Sequence, residues 1–271
     1  MRFSIITINF NHADGLENTI QSVINQTCHD YEFIIIDGGS SDGSVDVIRK
    51  YKENINYWVS EPDGGIFPAM NKGTRQAHGD YCIYMNSGDT FYDNRVLEKV
   101  KKCNYTEDIQ TGSISYGGQI CPTVDTVTMK TFYESTLYHQ GSFIKTNLIK
   151  QFGYDEHLRG VSDWKFFMQA LVFHDATYHR LPFVVATFET GGFTDNCREI
   201  SKKEVRQELE RCLPRRVLID YEDYCYGLTP FRRMMNKVDI IPPLKRIIFH
   251  IDKWILKIIN IKLKAKWIKD L

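Results

Sequence analysis

The chain has 271 residues, enough to bury a full core as one large domain or as one domain with an appendage. Lysine plus arginine and aspartate plus glutamate are each 34, so no excess of charge points to nucleic acid, and 42% apolar with 25% charged residues is an ordinary globular balance. Seven scattered cysteines without a Cys-x-x-Cys pair argue against a zinc site and for reduced thiols. The start, Met1 to Phe10, becomes polar too early for a secretory signal, and no uncharged run is long enough to cross a bilayer, so a cytoplasmic location is expected.

Phe3 to Ile8 is nearly all apolar, as a buried parallel strand should be. After Asn9-Phe10-Asn11-His12, the spacing of Leu16, Ile20, Val23 and Ile24 predicts a helix with Asp14 as its N-cap. A second strand, Phe33 to Ile36, ends in Asp37-Gly38-Gly39-Ser40-Ser41-Asp42-Gly43-Ser44, before a helix with Val45, Ile48 and Tyr51 on one face. Ile55 to Val59 reads as a third strand and Ser60 to Gly65 as a turn. Ile66 to Ala77 reads as a helix with Pro68 in its first turn. Tyr81 to Met85 is the fourth strand and runs into Asn86-Ser87-Gly88-Asp89. Four alternations of strand and helix in ninety residues predict an α/β fold with a mostly parallel, Rossmann-like central sheet flanked by helices. Beyond it, Asp93 to Lys101 reads as a short helix and Thr111 to Met129 as short antiparallel strands around Gly117-Gly118. Asn147 to Phe152 and the stretch opened by Asp163 read as helices, Tyr178 to Thr187 as a strand, and the chain from Ile200 as charged helix.

The turn after the first strand lacks Gly-x-Gly-x-x-Gly, and there is no Walker sequence, so a dehydrogenase and a P-loop enzyme are both disfavoured. What stands at three successive strand ends is a carboxylate: Asp37, Asp63 and Asp89. In a parallel sheet all three fall on one edge. An ionised Asp37 is a pure acceptor suited to the N3–H of a uracil ring. Asp89 offers a hard oxygen to Mg2+ or Mn2+, though a turn of Asn, Ser, Gly and Asp also has a purely geometric reading. Asp63, in Pro-Asp-Gly-Gly, is open between turn geometry and a site role, and Asp42 reads as a cap or turn residue.

Together, Ser-Ile-Ile-Thr-Ile-Asn-Phe-Asn, Ile-Ile-Ile-Asp-Gly-Gly-Ser-Ser-Asp-Gly-Ser, Ser-Glu-Pro-Asp-x-Gly-Ile, Ala-Met-Asn-Lys-Gly and Met-Asn-Ser-Gly-Asp resemble the family 2 glycosyltransferases of GT-A fold, over about residues 1 to 195. The resemblance implies inverting transfer of a sugar from a nucleotide diphosphate donor, with a UDP-sugar favoured, to an acceptor hydroxyl of a glycan or lipid-linked acceptor. It implies a nucleotide-sugar half over 1–110, an acceptor and base half over 111–198, and a helical extension over 199–271. Carried over by position, Thr7 and Asn9 line the nucleoside pocket with Asp37, Asp63 and Asn71, while Asp89 is the last carboxylate of the metal motif. Val161-Ser162-Asp163-Trp164 matches the family's base motif, so Asp163 is the expected general base, with a helix N-cap as its plain alternative. His139 and Gln140 are expected toward the acceptor or metal side, and Gly192, in Gly191-Gly192-Phe193, in a loop over the site. Two departures stand out. Asn86-Ser87-Gly88-Asp89 replaces the acidic Asp-x-Asp-Asp of many members, and Met70 replaces a common arginine, leaving Lys72 either as a substitute or as a solvated side chain.

From Leu244 to Leu271, Ile247, Ile248, Ile251, Trp254, Ile255, Ile258 and Ile259 recur at helical spacing among many lysines. Such a helix suits an anionic membrane surface at the inner face of the plasma membrane, or packing against the catalytic domain or a second subunit. Two other readings of the whole chain are a nucleotidyltransferase, which would need a Gly-rich loop with basic residues after the first strand, and a non-catalytic nucleotide-sugar-binding scaffold, which would not need Asp163.

Overall fold

β1 (Phe3–Asn9) and β2 (Tyr31–Asp37) are apolar on both faces because helices cover both sides of the sheet they form. This computed structural model describes residues 2–190 and 198–222. α1 (Ala13–Ile24) returns the chain, and its Leu16, Ile20 and Val23 join Phe3, Ile5, Phe33 and Ile35 in one core layer. α2 (Ser44–Lys50) adds Ile48 to that layer before β3 (Tyr57–Ser60). α3 (Ile66–Gln76) covers the opposite face, so closely that a Cβ on Gly73 would lie 2.5 Å from Ile6 Cγ2. β4 (Tyr81–Tyr84) completes four parallel strands in the order β3-β2-β1-β4. This is the parallel sheet expected from the alternating pattern.

The remaining strands continue the same sheet. β5 (Thr90–Phe91) is followed by α4 (Val96–Cys103), then the hairpin of β6 (Ile109–Tyr116) and β7 (Gln119–Cys121). Gly117 and Gly118 have φ of 55° and 78°, the left-handed pair that a two-residue hairpin turn requires. α5 (Met129–Glu134), β8 (Ser142–Lys145), α6 (Thr146–Phe152), α7 (Ser162–Met168), β9 (Tyr178–Phe188) and α8 (Arg198–Cys212) follow. The full order is β3-β2-β1-β4-β8-β6-β9-β5, with β7 on β6; β9 runs parallel to β6 and antiparallel to β5.

Several expected boundaries move for local reasons. Asp14 lies in the first turn of α1 but does not cap it; His12 holds the N-cap position, and Asp42 Oδ2 accepts the Ala13 N–H at 2.8 Å. Asp42 Oδ1 also accepts from Ser44, so one carboxylate ties the starts of α1 and α2. The third strand begins at Tyr57, not Ile55, because Lys52–Asn54 form a single 3-10 turn. The helix expected from Asp93 starts at Val96, with Asp93 accepting the Arg95 N–H instead. Antiparallel strand ends at Cys121, and Met129–Glu134 is a helix closed by a Thr128–Thr131 capping box.

Contacts divide the chain into two compact units, 1–212 and 213–271. In the second, the described part is a helix, α9 (Arg215–Glu222), started by Pro214, whose carbonyl accepts from Val217 and Leu218. Among the described residues no helix is long and apolar enough to cross a membrane. The basic amphipathic stretch Leu244 to Leu271, and with it any test of a membrane partner, lies outside the described residues, as does Gly192.

Candidate active site

The loops after β1, β2 and β4 meet at one edge of the parallel sheet, and three polar side chains link them. Asn9, the last residue of β1, donates from Nδ2 to Asp37 Oδ1 at 2.6 Å; its Oδ1 accepts from Ser87 Oγ at 2.7 Å. Asp37, the last residue of β2, has no exposed surface. Its two oxygens also accept the Ser40 N–H and hydroxyl, the Gly39 N–H and the Ser60 hydroxyl. Burial works to raise this carboxyl, but the donors of Ser40, Ser60 and Asn9 outweigh it and hold it below the ordinary carboxylate value. A base N–H reaching Asp37 must therefore take the place of one of these donors.

Beside this loop, a Cβ on Gly38 would lie 3.0 Å from Asp63 Oδ2 and 3.1 Å from the Phe10 ring. Asp63 Oδ1 accepts the Gly65 N–H, so turn geometry accounts for one oxygen and the other faces Gly38. Phe10 is 66% exposed. An aromatic ring left open beside two polar loops was not singled out by its sequence position. The signal for it is the lone aromatic in an otherwise polar turn.

Two expected pocket residues are used internally. Thr7 is fully buried and its hydroxyl donates to the Met85 carbonyl at 2.6 Å, so it braces β1 against the chain leaving β4. Asn71 clamps α3 to the 153–156 loop, donating to the Tyr154 carbonyl and Glu156 and accepting from the Tyr154 N–H. Lys72 is paired with Glu61 at 2.9 Å.

The turn at 86–89 is held from three sides. The Ser87 N–H donates to Ile8, the Asp89 N–H closes the turn on Asn86, and Thr19 in α1 accepts the Gly88 N–H. Gly88 has φ +96°, a conformation that a side chain would strain. Asp89 is 3% exposed, and Gln140 and the Glu189 N–H hydrogen-bond its carboxylate. Burial pushes this carboxyl up to about 6, against the pull of His139; Glu189 adds to the rise.

Asp163 comes to the same place from α7. It is the second residue of that helix, after Ser162, and Val161 occupies the N-cap position, so Asp163 is not the cap. Its Oδ1 accepts the Trp164 N–H, while Oδ2 lies 3.2 Å from His139 Nδ1. His139 Nε2 in turn lies 3.3 Å from Asn86 Nδ2. One imidazole thus spans from the Asp163 carboxylate to the turn that carries Asp89. Asn86 Oδ1 is buried without a hydrogen-bond partner.

Asp89, Asp163, His139 and Gln140 therefore form one cluster. Asn9 and Asp37 form a second, joined to the first through Ser87. Among the described residues no three His, Cys, Asp or Glu side chains make a self-sufficient metal cage. A buried carboxylate beside an orphaned amide oxygen nonetheless fits Mg2+ or Mn2+, which need only one or two protein carboxylates when phosphates and water complete the shell.

Residues 4–158 match the profile of Glycosyl transferase family 2. The chain belongs to that family. It is 31% identical over 199 residues to an uncharacterized glycosyltransferase of Mycobacterium tuberculosis, covering 70% of this chain and 75% of that one. Staphylococcus aureus TarS 1–349, solved in complex with UDP-GlcNAc, superposes with a TM-score of 0.64 at 17% identity, over 83% of this chain and 73% of that one. The mannosyltransferase PcManGT of Pyrobaculum calidifontis, solved with GDP-Man and Mn2+, superposes with a TM-score of 0.58 at 16% identity, over 78% and 63%. The family 2 chain thus has the GT-A fold, and it is a glycosyltransferase.

Proposed function

We propose that this glycosyltransferase works by single displacement with inversion, moving a sugar from a nucleoside diphosphate to an acceptor hydroxyl in polysaccharide or glycolipid assembly. The observation that carries the reading is the His139 ring, 3.2 Å from Asp163 on one side and 3.3 Å from Asn86 on the other. It supports a proton acceptor and a diphosphate-facing carboxylate in a single cleft. In this reading residues 1–110 receive the donor, 111–198 carry the base and the acceptor site, and 199–271 extend them.

Asp163 removes the proton of the acceptor hydroxyl as its oxygen attacks the anomeric carbon, and the bond to the nucleoside diphosphate breaks on the opposite face. His139 holds the carboxylate in position from its Nδ1 side. Asp37, saturated by Ser40, Ser60 and Asn9, keeps the nucleoside loop in shape, and a uracil N–H is the donor best suited to exchange into that set. Phe10 offers a face on which a base can stack. A divalent cation held at Asp89, Mg2+ or Mn2+, would offset the charge on the departing diphosphate. The Mn2+ seen with PcManGT supports this, and the UDP-GlcNAc bound by TarS supports a uridine donor.

A panel of UDP- and GDP-sugars, read by nucleoside diphosphate release with and without Mn2+, tests the activity. Asp163→Asn should lower turnover by about 10^2- to 10^4-fold while nucleotide affinity stays as in the parent. Undiminished turnover in that variant would remove Asp163 as the base.

A further inference from the structure

The turn after β4 carries a single carboxylate, Asp89, with an amide at 86 and no side chain at 88. The sheet brings another acidic side chain to this point from a hundred residues away. β5 and β9 pair antiparallel, Thr90 opposite Thr187 and Phe91 opposite Ala186. Extending that register by two residues sets Glu189 across from Gly88. The Glu189 main chain also reaches the turn's carboxylate, its N–H donating to Asp89 Oδ1 at 3.1 Å.

The Glu189 carboxylate occupies the volume that a side chain at 88 would take. A Cβ on Gly88 would lie 2.5 Å from Glu189 Cδ and closer still to Oε2. A side chain at 88 and this placement of Glu189 therefore exclude one another. The Glu189 carboxylate also faces His12, whose Nε2 lies 3.6 Å from Oε2. That imidazole is seated directly over Gly15 at the start of α1, where a Cβ would collide with the ring. Glu189 remains 42% exposed, so its oxygens can turn outward to a ligand.

Resting on the transferase reading above, we infer that Glu189 is the second acidic oxygen donor to the divalent cation. It supplies across the sheet the carboxylate that the turn lacks at 86 and 88. Asp89, Glu189 and the carbonyl oxygen of the Asn86 side chain then form an all-oxygen face. Such a set of oxygens would suit Mg2+ or Mn2+ and would not suit a soft metal.

The test uses the full chain and Mn2+ as the probe, with bound Mn2+ followed by electron paramagnetic resonance, alone and in the presence of UDP or GDP. Glu189→Gln should weaken Mn2+ binding in the presence of the nucleotide by about tenfold or more. Its nucleotide affinity in EDTA should be unchanged, and its metal-free melting temperature should be no lower than that of the parent. Moving the carboxylate back into the turn, as Asn86→Asp with Glu189→Ala, should restore part of the Mn2+ affinity. Parent-like Mn2+ affinity in Glu189→Gln, with affinity lost in Asp89→Asn, would overturn the role of Glu189 and leave the transferase reading standing. An equal loss in His12→Asn would overturn it too, by making Glu189 a brace for that ring. A parent chain that binds neither UDP nor GDP would remove the transferase reading and the ligand assignment with it.

Discussion

The metal role proposed for Asp89 sets function against stability at a single residue. Its carboxyl, ordinarily at 3.8, sits at about 6 because burial disfavours the charge. A folded value above the unfolded one favours the protonated fold. That contribution is complete below the ordinary value and lost as pH rises through about 6. Removing the charge should therefore stabilise the metal-free protein at pH 8, by roughly 3 kcal/mol if the whole shift is recovered. Asp89→Asn should melt higher than the parent at pH 8, melt the same at pH 4, and show no Mn2+-dependent shift. Asp37 has the opposite sign. Its carboxyl is depressed, so its contribution holds above the ordinary carboxylate value and is lost as pH falls through the depressed one. Asp37→Asn should cost about 3 kcal/mol at pH 7, since an amide NH2 would face the Ser40 N–H. The gap between the two proteins should close in acid-unfolding curves. The position of Asp37 at a strand end was legible in the sequence; its complete occupation by Ser40, Ser60 and Asn9 was not, because Ser60 arrives from another strand.

Among the elements, α8 has a task its charged sequence did not announce. Glu204 accepts the Arg159 and Gly160 N–H groups, and Glu208 pairs with the buried Lys165 at 2.9 Å. Lys165 also binds Asp155. These bonds fix the loop leading into α7 and the helix itself, hence the direction of Asp163. Glu204→Ala should leave two half-buried N–H groups without their acceptor and cost about 1 kcal/mol. Hydrogen exchange over residues 155–162 should speed up while the β1–β4 sheet stays protected. Hydrophobic spacing identified α1 and α2 because their apolar residues recur with helical period. It misplaced the starts of α4 and α1 because caps are chosen by distant partners, as Asp42 is for Ala13.

For the whole molecule, the decisive feature is how the second half returns to the first. The 3-10 turn carrying His139 and Gln140 rests on β6 through two glycines, and a Cβ on Gly141 would lie 2.7 Å from the Gly112 carbonyl. Gly141→Ala should push that turn off the sheet, cost about 1–3 kcal/mol, and lower turnover more than nucleotide affinity, as read from steady-state kinetics beside nucleotide titration. The sequence alone determined the four parallel strands, their covering helices and the motifs at their ends, since apolar runs of this length have no stable place except in a sheet buried on both faces. It also carried the family resemblance, as a succession of short motifs in order. Only the tertiary structure decided that β9 lies between β6 and β5, bringing Glu189 to Gly88, and that His139 stands between Asp163 and Asn86. Those meetings join residues far apart in the chain, and what sets them is strand order and register, which local periodicity does not encode.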